Sequence, residues 1–346
     1  MREYIQCSRC SAKSKLIAAY NQKSVYRCTQ CRALTEINHA PETMPINFYC
    51  FDHQGKANKL ISALSERYNQ GDRNTALFVL SDSDVSGRAS QMERMRRSSA
   101  RQFFIYPHAA RPSLINAHYH TWQGTTAQFV VNEYHAEVLR AYGYEKPLES
   151  IGWHLSPVEQ FKPRNVDDRP LKVLFAPIHP RNAQQDRDAN KAAFDKLYPH
   201  VLSGDIELTI RHIGALSESG LPIAEKVNYV CGLMNQTTSD MDNSDVVIGH
   251  QTFAWLAVAR GIPCVMFAED MPTHFRRNGV FYDDVACWDK VQHLFRYPLD
   301  LLCENDTIGL LRQTAQSDTR IQDWRRRMIG QAFDPALFVE KVEKYL

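Results

Sequence analysis

No run of apolar residues in this 346-residue sequence approaches the roughly eighteen that a membrane-crossing helix requires. The opening, MREYIQCSRC, also lacks the apolar stretch of a signal peptide, so the expected location is the cytoplasm. There is no internal repeat and no low-complexity tract, which sets aside solenoid and disordered architectures. A large charge of either sign is missing too: the formal net charge is +2, and the overall balance is silent about anionic partners. What is present is ordinary globular material, 44% hydrophobic and 23% charged, in a chain long enough for two domains with real cores.

Nine cysteines in a cytosolic chain point to thiols or metal rather than disulfides. Cys50, Cys231, Cys264, Cys287 and Cys303 stand in apolar or strand-like surroundings and read as core residues. Cys7, Cys10, Cys28 and Cys31 instead form C-x2-C-x17-C-x2-C, the spacing of a four-thiolate zinc site in which two knuckles close a tetrahedron. Between them, SKLIAAYNQKSVYRC reads as two short strands, giving a zinc ribbon over residues 1–38. So small a module cannot bury enough apolar surface alone, and metal binding would supply its folding energy. Four thiolates leave no open coordination position, so the zinc is expected to be structural. Over residues 1–35, seven Lys and Arg stand against Glu3, a local balance of +6. With Tyr20 and Tyr26 interleaved, this suits nucleic-acid phosphates and bases, or equally a solvated docking surface. GRASQMERMRRSSAR at 87–101 is a second basic run.

After a proline-bearing linker, INHAPETMP, strand-like stretches alternate with helical ones: INFYCFD, TALFVLSD, QFFIYPH and AQFVVNE, with KANKLISALSERYNQG, ASQMERMRRSSAR and YHAEVLRAYGY among them. This alternation predicts a mostly parallel sheet covered on both faces. The pattern breaks at GWHLSPVEQFKPRNVDDRP and resumes with LKVLFAPIH, IELTIRHIG, VNYVCG, SDVVIGH, TFAWLAVARG and IPCVMFAED. The expected architecture is α/β: two Rossmann-like doubly wound domains, 45–160 and 170–320, facing a cleft across their strand-end loops, with a helical tail at 321–346.

The second half resembles glycosyltransferases of the GT-B fold, in particular the nucleotide-binding half of CDP-glycerol glycerophosphotransferase-like and UDP-GlcNAc 2-epimerase-like enzymes. LKVLFAPIHPRN is similar to the start of that half, LTIRHIG to its strand ending in Arg and His, and SDVVIGHQTFAWLAVARGIPCVMF to its strand, tight loop, helix and next strand. The resemblance covers about residues 100 to 300, most clearly after 170. It implies that the loop of Gly249, His250, Gln251 and Thr252 receives the diphosphate of a nucleotide-sugar donor, a UDP-sugar foremost. The physical basis is the exposed N–H groups and dipole of a helix start. His250 and Gln251 depart from the Ser-rich or acidic loop usual in the family.

An inverting transferase must deprotonate an acceptor hydroxyl and stabilise a departing nucleoside diphosphate. His53 and Asp52, after the first strand, are the leading candidates for the base; Asp84, with Asp82, ends the second strand and His108 the third, where Arg111 could meet a phosphate. A loop histidine that merely caps the next helix is the plainer reading of His53. His118 and His120 lack a nearby carboxylate and read as polar wall. In the second half, His179, Arg181, Arg211 and His212 at strand ends could bind donor phosphates, and Glu269 and Asp270 could accept from sugar or ribose hydroxyls. With so many cations available to the phosphates, metal-independent catalysis is expected.

LFVLSDSDVSGRA also resembles the Asp-x-Asp strand of Toprim domains, which likewise follow a zinc ribbon and catalyse nucleotidyl transfer; FYCFDHQGK offers Asp52 where that family carries Glu. Other readings are a sugar-nucleotide epimerase, a cell-surface glycan transferase, or a non-catalytic nucleic-acid-binding protein. The reading that joins both ends of the chain is a glycosyltransferase whose basic ribbon holds DNA bearing hydroxymethylated bases. Such enzymes are familiar in bacteriophages, which would make the host cytoplasm its location, and the target base would be extruded from its stack.

Overall fold

The computed structural model describes residues 4–20, 23–38, 47–50, 57–71, 77–81, 102–107, 125–141, 144–178, 184–212, 216–232, 237–268, 276–277, 280–281, 294 and 296–346. The chain divides into two compact units, one of residues 1–108, 112–154 and 333–346, the other of 109–111 and 155–332. The stretch expected as a single tail is therefore shared, with Phe333–Leu346 in the first unit. Among the described residues no helix is long and apolar enough to cross a membrane.

Strands β1 (Tyr4–Gln6), β2 (Lys13–Tyr20), β3 (Lys23–Cys28) and β4 (Leu34–Asn38) form an antiparallel sheet in that order. Side chains alternate across a pleat, and here the alternation divides charge from core. Lys13, Lys15 and Arg27 are exposed, whereas Ser14, Tyr26 and Cys28 are buried.

The rest of the first unit is built on β5 (Asn47–Cys50), β6 (Asn69–Gln70), β7 (Leu77–Ser81), β8 (Gln102–Tyr106), β9 (Ala127–Val130) and β10 (Leu148–Ser150). All pairings are parallel, in the spatial order β10-β9-β8-β7-β5-β6. Parallel strands need crossovers, which cover the faces and explain near-continuous apolar runs such as QFFIY and AQFV. Helix α1 (Asn58–Ser65) buries Leu60 and Leu64, and α2 (Glu133–Ala141) buries Val138 and Leu139. Phe104 stacks on Phe129 at 5.2 Å between ring centres.

The second unit holds β11 (Leu171–Phe175), β12 (Ile206–His212), β13 (Val227–Cys231), β14 (Val246–Gly249) and β15 (Cys264–Met266), parallel in the order β13-β12-β11-β14-β15. Helices α3 (Gln184–Ser203), α4 (Thr237–Asp242), α5 (Gln251–Ala259), α6 (Thr307–Gln316) and α7 (Gln322–Met328) belong to it. Asp245, just before β14, accepts two hydrogen bonds from Arg169 at 2.6 and 2.8 Å and one from the Lys172 N–H at 2.8 Å. That carboxylate clamps the start of β14 to the start of β11.

The last helix, α8 (Pro335–Glu343), returns to the first unit. Asp334 caps it by accepting from the Ala336 and Leu337 N–H groups, and Pro335 occupies its first turn, where a missing N–H costs nothing. Phe338, Val339 and Val342 join the core of Phe48, Phe104 and Phe129. Buried Glu149 on β10 fastens the end of the chain: it accepts from Lys344 at 2.7 Å and the Tyr345 hydroxyl at 2.6 Å, and pairs with Lys341 at 3.1 Å. Burial alone would raise its pKa; the hydrogen bonds from Lys344, Tyr345 and Lys341 outweigh this and hold the carboxyl below its ordinary value.

A lowered folded-state pKa means stabilisation that is complete above the unfolded value of about 4.3 and is lost as pH falls through the folded one. Glu149→Gln is expected to cost the first unit about 1–3 kcal/mol at neutral pH. Urea unfolding should show that gap closing as the pH is taken below the carboxylate range; an equal gap at all pH values would refute the role of the charge.

Candidate functional site

Among the described residues two places concentrate chemistry, one in each unit. The first is the cysteine cluster. Cys7 and Cys10 lie in the turn between β1 and β2, Cys28 ends β3 and Cys31 lies in the turn from β3 to β4, and the two turns repeat one design. The Cys7 N–H donates to Ala12 O at 2.7 Å and the Cys28 N–H to Ala33 O at 2.9 Å. Each turn ends on a left-handed residue, Ser11 and Arg32, both with φ 58°. The Arg9 N–H donates to the Cys7 sulfur at 3.4 Å, and the Gln30 and Cys31 N–H groups to the Cys28 sulfur at the same distance.

All four sulfurs lie within 4.8 Å of one another; Cys7–Cys31 are 3.7 Å apart and Cys10–Cys28 3.4 Å. Thiolates at about 2.3 Å from a tetrahedral zinc stand ~3.8 Å apart along each edge, so the set fits that ion in number, softness and spacing. The Cys31 N–H, helped by that of Gln30, overcomes burial and lowers the Cys28 thiol to about 6. Cys31 receives an N–H from Ala33, yet Cys28, burial and the other two sulfurs push it up to about 11. Four thiolates so close repel one another unless a cation sits among them. Ser14, the register partner of Cys28, has a buried hydroxyl with no hydrogen-bond partner among the described residues.

The second place is the carboxyl end of the second unit's sheet. From β11 the chain goes first to one side, to β12 and β13, and then to the other, to β14 and β15. Strand order thus reverses between β11 and β14, and in open parallel sheets such a switch point leaves a crevice beyond the strand ends where the crossovers part. The ladder runs to its edge, where the Ala176 N–H donates to Ile248 O at 2.8 Å.

Gly249 ends β14, and a Cβ there would stand 3.0 Å from the Phe253 ring, because the first turn of α5 folds back over it. His250 is the N-cap, extended at φ −131° and ψ 145°, with no side-chain cap on the helix. The opening N–H groups of α5, including those of Gln251 and Thr252, therefore have neither an intrahelical acceptor nor a capping side chain. The His250 Nδ1 lies 3.1 Å from Phe267 O, which puts the proton on Nδ1 and ties the ring to the chain leaving β15. One residue on, Ala268 is left-handed at φ 58°, an uncommon conformation for a residue with a Cβ. Behind its first turn α5 is embedded: Ala254, Trp255, Ala257, Val258 and Ala259 are buried, and Trp255 meets Trp324 edge-on at 4.8 Å. The helix start is thus a fixed group of donors.

Arg211 is buried with 3% of its side chain exposed. Its Nε donates to Asp240 at 2.9 Å and its Nη2 to Thr237 at 2.7 Å, and the guanidinium lies 5.4 Å from the centre of the Phe253 ring. A Cβ at Gly232, the residue after β13, would stand 2.6 Å from Nη1, so a larger residue there would displace the guanidinium from this position. This makes Arg211 an internal support of α4 and α5; the sequence reading placed it among the strand-end cations for donor phosphates. His212, next along β12, is half-buried.

Asn190 on α3 has no counterpart in the sequence reading. Fully buried, it accepts from the Ile178 N–H at 2.7 Å and donates to Ile178 O at 2.9 Å and Ser219 O at 3.0 Å, anchoring the loop that leaves β11. A lone amide among Ala189, Ala193, Phe194 and Leu197 was its only signal. His53, Asp52, Asp82, Asp84, His108, Arg111, His118, His120, His179, Arg181, Glu269 and Asp270 lie outside the described residues, as do the linker residues 39–45 and the basic run 87–101.

No protein-family model matches the chain, and no curated protein matches it in sequence. Among solved structures it is similar to a protein from Listeria monocytogenes assigned as a UDP-N-acetylglucosamine 2-epimerase, with 11% identity over 87% of this chain and 95% of that one and a TM-score of 0.46. Another is the glycosyltransferase SnogD from Streptomyces nogalater, at 13% identity over 83% and 75% of the two chains and a TM-score of 0.42. The GtfA/B complex gives 12% identity and a TM-score of 0.38; 96% of this chain is covered but only 65% of that one.

Protein purified from zinc-supplemented medium should carry one tightly held zinc per chain by elemental analysis, and Cys28→Ala should lose it and open the amino-terminal sheet to protease. Retention of the metal by Cys28→Ala would remove the cluster as its ligand set. Asn190→Ala is expected to destabilise the second unit by about 1–3 kcal/mol through the polar groups it orphans, read by urea unfolding; an unchanged midpoint would show that the loop needs no anchor.

Proposed function

We propose that this chain is a glycosyltransferase of the GT-B architecture, moving a sugar from a nucleotide-sugar donor to a hydroxyl acceptor. The observation that carries this reading is the strand-order reversal beside β11, with Gly249, His250 and the uncapped start of α5 at the carboxyl end of β14. An anion is favoured there by converging N–H groups and the helix dipole. A nucleoside diphosphate is the anion of that size and charge that a sugar-transfer reaction releases.

In this reading the donor diphosphate, foremost that of a UDP-sugar, sits against the N–H groups of Gln251 and Thr252. As the glycosidic bond breaks, negative charge grows on the departing phosphate oxygen, and donors held rigid by the buried body of α5 meet it without reorganising. Gly249 lets the chain pass close beneath, and Arg211 keeps the Phe253 turn in place. His179, Arg181 and His212 supply further cations or donors, and Glu269 or Asp270 accepts from ribose or sugar hydroxyls. His53 or Asp52 removes the acceptor proton, with Asp84 and His108 as the other first-unit candidates, and attack from the opposite face inverts the anomeric centre.

The acceptor in this reading is a hydroxymethylated base in DNA. Zinc, when bound by Cys7, Cys10, Cys28 and Cys31, supplies folding energy to the amino-terminal sheet and no step of the transfer. The enzyme would work in the cytoplasm, that of a host if it is phage-encoded.

The test is mass spectrometry of plain and 5-hydroxymethylpyrimidine DNA after incubation with the zinc-loaded protein and a panel of nucleotide sugars. A sugar mass added only to the hydroxymethylated DNA is expected, and His53→Ala should abolish it while leaving UDP affinity intact. Isomerised donor with no acceptor modified would instead indicate an epimerase. At the donor site, Thr252→Glu puts a carboxylate in the first turn of α5, where it suits the helix but repels a diphosphate; UDP affinity should fall at least tenfold with the melting temperature maintained. Unchanged UDP affinity would refute the placement.

A further inference from the structure

The cation-bearing face of the amino-terminal sheet has a composition that its sequence order conceals. The register aligns Tyr4 with Lys15 and Lys15 with Arg27, and Arg27 with Leu34, one row across all four strands, while Gln6 pairs with Lys13 beside it. Tyr4 and Leu34 are 42% and 59% exposed, and Lys13, Lys15 and Arg27 are exposed as well. The Lys13 ammonium stands 5.9 Å from the centre of the Tyr4 ring. Tyr26, one of the two aromatics that the sequence pattern offered for base contact, is 2% exposed and lies on the opposite face with Cys28 and Ser14. One acidic residue, Glu36, occurs in the four strands, at the register position next to Val25.

From this arrangement we infer that the face of Tyr4, Lys13, Lys15 and Arg27 binds single-stranded nucleic acid. Three cations within one short patch attract a phosphate chain through counterion release, which is independent of sequence. The aromatic ring among them adds a stacking partner. Stacking on Tyr4 requires a base whose face is uncovered, and a duplex offers none along its length. The chemistry therefore favours a single strand or an unpaired segment. The inference deepens the acceptor half of the proposed function and rests on it only in taking the amino-terminal sheet as the module that holds nucleic acid.

The test measures binding of a fluorescent oligothymidylate to the full, zinc-loaded chain by anisotropy across a salt series, with no nucleotide sugar present. Lys15→Gln combined with Arg27→Gln should weaken binding at least tenfold and flatten the salt slope by roughly 1.4, at about 0.7 per cation lost. Tyr4→Ala should weaken it about tenfold with the salt slope unchanged. Arg326→Gln with Arg327→Gln, on α7, should have no effect, and one zinc per chain in every variant verifies the fold. Full binding by the Lys15/Arg27 variant would overturn the inference, as would a duplex held as tightly as the single strand with Tyr4→Ala silent, or binding to anionic phosphatidylserine vesicles in place of the oligonucleotide. A protein that binds the single strand through this face but transfers no sugar would sustain the inference and sink the proposed activity. One that glycosylates DNA regardless of Lys15 and Arg27 would do the reverse.

Discussion

A guanidinium with 3% of its side chain exposed has given up almost all its water, at a cost of several kcal/mol that only well-placed partners can offset. Around Arg211 those partners come from three places. Asp240 and Thr237 bring α4, Phe253 brings the first turn of α5, and Gly232, just after β13, leaves room by having no Cβ. The carboxyl end of the sheet is thereby held at several points by one side chain that never leaves the interior. The open donors at the start of α5 depend on this, because a helix start can present N–H groups in a fixed direction only if its first turn is itself fixed.

Charge is handled in the opposite way at the amino-terminal sheet. There the cations are left in water and the thiols are drawn together. The pleat makes this possible: Tyr26 and Cys28 point one way and Arg27 the other, so a single strand serves a buried cluster and an exposed face at once.

Much of this was readable in the residues themselves. The cysteine spacing led directly to four sulfurs within 4.8 Å, and runs such as LKVLF, SDVVIGH and QFFIY became parallel strands because buried strands must be apolar on both faces. Strand order was not readable, since neighbours in space are set by crossovers whose direction leaves no local mark. The burial of Arg211 was not readable because Asp240, its partner, is twenty-nine residues further along the chain. Tyr26 looked available for stacking because interleaving in sequence does not reveal which face is covered. Asn190 passed unnoticed for a related reason: its partners are backbone groups, which have no residue identity to recognise. The short strand β10 gave little periodicity to detect, though its Glu149 fastens the last residues of the chain.

That fastening has a consequence for synthesis. Domains generally fold as units, amino-terminal ones first, as the chain emerges from the ribosome. Here the first unit takes Phe338, Val339 and Val342 into its core and closes Glu149 against Lys344 and Tyr345, so its final pieces are made only after the stretch 155–332. The stretch 155–332, by contrast, holds every strand of the second unit's parallel sheet and is complete before α8 exists. The order of completion along the nascent chain is therefore the reverse of the order in which the two units begin, and the earlier-made sheet must wait, with part of its apolar surface uncovered, until residues 333–346 have followed the second unit's sheet.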